Sequence, residues 1–121
     1  MIRILASDGL DKSASIKLCE NNCEVIEKFY SEEELARQLQ NYDVLIVRSA
    51  TKVRKSVIDA AAEAGRLKLI IRAGVGMDNI DVKYAQEKGI KVMNTPKASS
   101  ASVAELTIAH MFSLARFVGI A

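Results

Sequence analysis

Four places in the chain put polar or bare-backbone residues directly after a short apolar run. Ser7 and Asp8 follow residues 2–6, Arg48 and Ser49 follow 44–47, Arg72, Ala73, Gly74, Val75 and Gly76 follow 69–71, and Asn94 and Thr95 follow 90–93. Arg48 carries a planar fork of N–H donors suited to a carboxylate or a phosphate. The bare stretch Gly74-Val75-Gly76 can turn its backbone N–H groups toward a second small anion. Together the two elements suit a substrate with an anionic group at each end. Each also has a plain structural explanation. Arg48 can pair with Asp43 or Asp8, and the glycines can form a tight turn between a buried strand and a helix. Arg72 is expected to be structural, paired with a nearby acid.

Other chemistries find less support. His110 is the sole histidine and thus the one ready acid–base group near neutral pH, but it lies mid-helix among apolar residues and is assigned no catalytic role. No residue of the chain is assigned catalysis. A dinucleotide fingerprint needs a third glycine, and Gly74-Val75-Gly76-Met77-Asp78-Asn79 ends in asparagine. Cys19 and Cys23 have no further cysteine or nearby histidine to complete a metal set, so they are expected to be reduced, partly buried thiols, and no metal is assigned.

The elements that must position these residues follow from apolar patterning. Strands are expected at 2–6, 24–29, 44–47, 67–71 and 90–93, with helices at 14–20, from Ser31 through Leu39, at 53–64 and at 82–88. Ser31-Glu32-Glu33-Glu34 has the form of a capping box, and Asn21-Asn22, Gly65 and Gly89 suit helix ends. On the helix at 53–64, Val57, Ile58 and Ala61 share one face. Its first turn holds Arg54 and Lys55, the wrong sign for the helix dipole; a nearby anion would offset that cost, but solvated side chains tolerated on the surface are the expectation. Strands alternating with helices imply right-handed crossovers and an α/β fold. We expect a flavodoxin-like open parallel five-stranded sheet, order 2-1-3-4-5, followed by a long C-terminal helix. Ligands of such sheets bind outside the carboxyl ends of the strands, where all four polar stretches fall.

A second capping box, Ser102-Val103-Ala104-Glu105, opens the last helix after a loop with the lone proline, Pro96. Apolar residues surround that helix, which therefore expects protein on more than one side. Self-association through residues 102–118 is the expected outcome. With 121 residues, half of them hydrophobic, the chain suffices for one core. Its net charge of +2 is too small to suggest nucleic acid. Glu105, His110 and Arg116 argue against a membrane span, and the lack of a leader pattern at the N-terminus suggests a cytoplasmic protein.

Four motifs in series carry a resemblance: VRSATKV (47–53), RAGVGMDNIDV (72–82), VMNTP (92–96) and SVAELTIAHMFSLAR (102–116). They resemble the N-terminal part of the D-isomer-specific 2-hydroxyacid dehydrogenases, and within that family the branch that oxidises a phosphorylated three-carbon acid. The resemblance implies an NAD-dependent oxidoreductase with a split substrate domain. Residues 1–98 would form that domain, 99–121 a helix crossing between domains and between subunits, and the nucleotide-binding domain would lie outside this chain. It further implies that Arg48, Ser49, Ala73, Gly74, Val75 and Gly76 bind an anionic 2-hydroxy acid. Val75, Asn94 and Thr95 would face the nicotinamide end of NAD, most of which the other domain would hold. The chain by itself would not turn over. A stand-alone flavodoxin-like binding or signalling module is the alternative; it needs clustered acids for a divalent cation, and Arg48 stands at the end of the third strand instead.

Overall fold

The central strand is a run of four apolar residues, Val44–Val47, buried on both faces, as a strand inside a parallel sheet must be. A computed structural model describes residues 2–10, 12–21, 23–48, 50–73 and 78–95. Five strands, β1 (Ile2–Ala6), β2 (Cys23–Ile26), β3 (Val44–Val47), β4 (Leu69–Ala73) and β5 (Lys91–Thr95), form one sheet in the order β2-β1-β3-β4-β5. Every pairing is parallel. Helices α1 (Lys12–Glu20), α2 (Glu32–Gln38), α3 (Lys55–Ala64) and α4 (Val82–Glu87) connect the strands, with a 3₁₀ turn at Leu39–Asn41 after α2. The expected α/β fold and strand order are those observed.

The register lines up one apolar row across the sheet, Ile26, Leu5, Leu45, Ile70 and Val92. This row packs with Leu35 of α2, Val57, Ile58 and Ala61 of α3, and Ala85 of α4. The alternate residues, among them Ile4, Val44, Ile46, Leu69 and Ile71, face a second cluster to which α1 contributes Ala14 and Leu18. The two-residue period of the strands thus divides the core into two layers.

Several boundaries move, each for a reason of pairing. β2 stops at Ile26 instead of Phe29 because its neighbour β1 supplies no partner beyond Leu5↔Ile26. β4 begins at Leu69, opposite the first residue of β3, and runs on to Ala73. β5 is carried to Thr95 by its pairing with Ala73. α3 starts at Lys55 because Val53 is extended, in a parallel bridge with Ile80. Gly65 ends α3 in the left-handed region, φ 76°, and its N–H reaches the carbonyl of Ala61. A side chain is strained there, which makes glycine the natural stop.

Ser31 is the N-cap of α2, but its side chain makes no capping bond, contrary to the expected capping box. The carboxylate of Glu34 is engaged elsewhere, accepting from Gln38 Nε2 at 2.9 Å and pairing with Arg37 at 3.1 Å. Gln38 foremost holds the Glu34 carboxyl below its ordinary range. Arg54 at the start of α3 is not simply solvated: it donates to the Asp81 carboxylate at 3.3 Å and to the Asp78 carbonyl at 3.1 Å, so an anion of the chain itself lies beside it. The Lys55 ammonium lies 5.4 Å from the Tyr84 ring centroid. The second capping box, Pro96, His110 and the helix expected at 99–121 lie outside the described residues.

Both cysteines are free thiols, Cys19 exposed and Cys23 buried. Burial, followed by the neighbouring Cys19, raises the Cys23 pKa. Its neutral form is therefore favoured by folding, and that contribution is lost as pH rises through the raised folded-state value. We expect iodoacetamide at pH 8 to label Cys19 in the native chain and both thiols in denaturant, read by mass spectrometry. Equal native labelling of the two would contradict the burial.

Candidate functional site

The first polar stretch after a strand comes from β1. A turn closed by the Gly9 N–H on the Ala6 carbonyl, with Gly9 at φ 82°, ends the strand and places Asp8 beside the loop that leaves β3. The Asp8 carboxylate accepts the backbone N–H of Arg48 at 2.7 Å and that of Thr51 at 3.0 Å through one oxygen. Its other oxygen accepts the Thr51 hydroxyl at 2.6 Å. With its proton committed to Asp8, the Thr51 hydroxyl accepts from Ser7 Oγ at 2.7 Å. Ser7 and Thr51 are only 2% and 3% exposed, so this chain of bonds satisfies polar atoms that water does not reach.

From the other side comes Asn79, in the loop after β4 and 9% exposed. Its Nδ2 donates to the carbonyls of Arg48 at 2.7 Å and Thr51 at 2.6 Å, and its Oδ1 accepts from Arg72 Nε at 3.3 Å. The bridge between Val53 and Ile80 lies alongside: the Asn79 carbonyl accepts the Val53 N–H at 2.8 Å, and Asp81 N–H reaches the Val53 carbonyl at 3.0 Å. The loops after β1, β3 and β4 are therefore joined into one hydrogen-bonded frame at the carboxyl edge of the sheet.

On that frame the Arg48 backbone is held and its side chain is exposed. Neither structural pairing open to it is made. Asp8 takes its N–H and not its guanidinium, and Asp43 is occupied by Arg66 at 3.2 Å and by the Arg3 N–H at 2.9 Å. Among the described residues the Arg48 guanidinium has no hydrogen-bond or ion-pair partner. Arg72 is structural as expected, yet among the described residues its partners are not acids. Besides Asn79 it donates to the Ala73 carbonyl at 2.7 Å, because the nearest acceptors at the end of β4 are an amide and a peptide oxygen.

Ala73 is buried at the end of β4, in register with Thr95, while the half-buried Asn94 lies opposite Arg72. Arg48, Ala73, Asn94 and Thr95 thus lie at one edge of the sheet. Ser49, Gly74, Val75 and Gly76 lie outside the described residues. A cleft of about 180 Å³ opens on the same loop, lined by Phe29, Tyr30, Glu32, Leu35, Ala50, Thr51 and Lys52. Thr51 and Asn79 were not singled out from the sequence, and Asp8 was considered as a partner for the Arg48 side chain but not for its backbone. Their signal was present: short hydrogen-bonding side chains just past apolar runs, the type that bonds nearby backbone.

The model of the D-isomer specific 2-hydroxyacid dehydrogenase catalytic domain matches residues 4–121. This is a family of NAD-dependent oxidoreductases. The chain is 50% identical over 117 residues to the D-3-phosphoglycerate dehydrogenase of Methanocaldococcus jannaschii, covering 96% of this chain and 22% of that protein. It is 46% identical, also over 117 residues, to the hydroxypyruvate reductase of Thermotoga maritima, covering 96% of this chain and 37% of that protein. The fold is similar to that of the NAD⁺-bound 3-phosphoglycerate dehydrogenase of Entamoeba histolytica, with a TM-score of 0.65 and 31% identity over 78% of this chain and 32% of that one. The chain therefore spans between about a fifth and two fifths of the length of these relatives. By the match across nearly all its residues, the chain belongs to the D-isomer specific 2-hydroxyacid dehydrogenase family.

Proposed function

We propose that this chain is the substrate-binding portion of an NAD-dependent dehydrogenase that oxidises 3-phosphoglycerate to 3-phosphohydroxypyruvate. The observation that carries the reading is the Arg48 guanidinium, unpartnered among the described residues and presented by a pinned backbone at the carboxyl edge of the sheet. A planar fork held in that way suits the bidentate binding of an anionic group on the acid. Ser49 and residues 73–76 supply the remaining contacts, with the backbone N–H groups of the glycine stretch on the second anionic end. Residues 1–98 make up the substrate domain, and 99–121 link it to the nucleotide domain and to a second subunit.

NAD, when bound, accepts the hydride from C2 of the acid. The part of this chain in holding NAD is small. A pyrophosphate site needs a helix N-terminus directly after the glycine loop, whereas residues 78–81 form a turn and a bridge before α4. Val75, Asn94 and Thr95 are assigned to the nicotinamide end alone, and the groups that move the proton lie elsewhere in the enzyme.

A phosphorylated substrate is favoured by the two anion-binding elements and by the phosphoglycerate dehydrogenase relative. The hydroxypyruvate reductase relative supports a second reading, a non-phosphorylated acid in the same site. The signalling-module reading loses ground, because the Asp8 carboxylate it would use for a cation is already filled by two amides and a hydroxyl. In an NMR titration of the chain, 3-phosphoglycerate should shift the Arg48 and Ala73 amides and bind at least about tenfold more tightly than glycerate, the value of one lost charged contact. Equal binding of the two would select the second reading. No shift at either amide up to millimolar ligand would overturn both.

A further inference from the structure

We propose that Asp8 and Asn79 are positioning residues that clamp the Arg48 backbone from opposite sides, so that the root of its side chain is held at a fixed point while its guanidinium has no partner among the described residues. The inference deepens the substrate-binding reading and rests on it for the ligand. Its geometry is that of a two-sided clamp. At both Arg48 and Thr51 the backbone N–H is held by Asp8 and the carbonyl by Asn79. The peptide group after Arg48 is thus bonded through its carbonyl to Asn79, and the one before Thr51 through its N–H to Asp8.

Each jaw is itself held. Asp8 sits on the turn closed by Gly9, and its second oxygen is fixed by Thr51 Oγ1, which Ser7 supports in turn. The Asn79 carboxamide is oriented by Arg72 Nε on its oxygen and by two carbonyls on its nitrogen, while its own carbonyl takes the Val53 N–H. Two carbonyl acceptors at 2.6–2.7 Å demand an NH₂ group in that place. A displacement of the Arg48 loop toward either side loses a bond on the other, and at the buried Thr51 and Asn79 the groups it leaves are poorly reached by water. A ligand fork on an exposed loop gains little if its root wanders, and this clamp removes that freedom before the ligand arrives.

Asn79→Asp is the sharpest test, since it keeps size and shape but sets an oxygen against two carbonyls. Asp8→Asn weakens the other jaw. Amide hydrogen exchange and 3-phosphoglycerate affinity are measured on the same 121-residue chains. Each variant is expected to speed exchange at the Arg48 and Thr51 amides by at least about tenfold, the effect of about one lost hydrogen bond, with the Leu45 and Ile70 amides unchanged. Affinity falls in parallel, and either substitution added to Arg48→Ala produces no further loss. Unchanged exchange at both amides overturns the clamp. Faster exchange with unchanged affinity, or losses that add fully to that of Arg48→Ala, overturns its role in presenting Arg48. A wild-type chain that fails to bind 3-phosphoglycerate overturns the substrate reading instead, and exchange alone then decides the clamp. Should Asn79→Asp not fold, Thr51→Val and Thr51→Ser decide: the valine should loosen both amides, and the serine, which keeps the hydroxyl, should restore them.

Discussion

Replacing Arg48 with alanine is expected to weaken 3-phosphoglycerate binding by between about tenfold and a hundredfold, since hydrogen bonds to a charged group contribute roughly 1.5–3 kcal/mol. The fold should not change, because the guanidinium has no partner among the described residues and the bonds that hold this position are made by its backbone. Arg48→Lys keeps the charge and discards the fork. It should recover part of the affinity and lose about tenfold if binding is bidentate. Isothermal titration of the three chains at low and physiological salt measures both effects. An alanine variant within about threefold of wild type would remove Arg48 from the site, as that difference is below 1 kcal/mol.

The second large effect is on stability. Leu45 lies on the central strand, wholly buried, with Leu5 and Ile70 in register on either side and helices over the same face. Leu45→Ala should cost about 2–5 kcal/mol, the transfer of the lost methyl groups plus the cavity that rigid neighbours cannot fill. Against a total near 5–15 kcal/mol for an ordinary domain, this is a large share. Urea unfolding should show a lower midpoint with the slope unchanged. Ile16, 51% exposed on α1, serves as the comparison. Ile16→Ala should stay within about 0.5 kcal/mol of wild type. A Leu45→Ala loss below about 1 kcal/mol would mean that the central row is not the packed layer described.

How much of this was legible in the residues follows from the range of the forces involved. Apolar runs such as 44–47 and helix stops such as Gly65 are local signals, and they identified every strand and α-helix among the described residues, while the order of the sheet came from the flavodoxin-like pattern such an alternation takes. Boundaries were less legible. Where β2 ends depends on where its pairing with β1 stops, and where α3 begins depends on a bridge to Ile80. The candidate site divides in the same way. Arg48 stood out by its type and by following a strand, and the four motifs pointed to the family. The partners of its backbone did not stand out. Asp8, Thr51 and Asn79 are ordinary loop residues until three strand ends bring them within hydrogen-bond reach.

By itself, then, the sequence determined the alternation of strand and helix, the edge at which a ligand would be met, and the family, because patterning and motif are properties of neighbouring residues. Tertiary structure decided which polar atoms at that edge are used up and which remain. Asp8 is spent on backbone amides and a hydroxyl, Arg72 on an amide and a carbonyl, and Asp43 on Arg66, while the Arg48 side chain has no partner among the described residues. That division depends on distances between separate strands, and hydrogen bonds weaken steeply once those distances exceed about 3.5 Å.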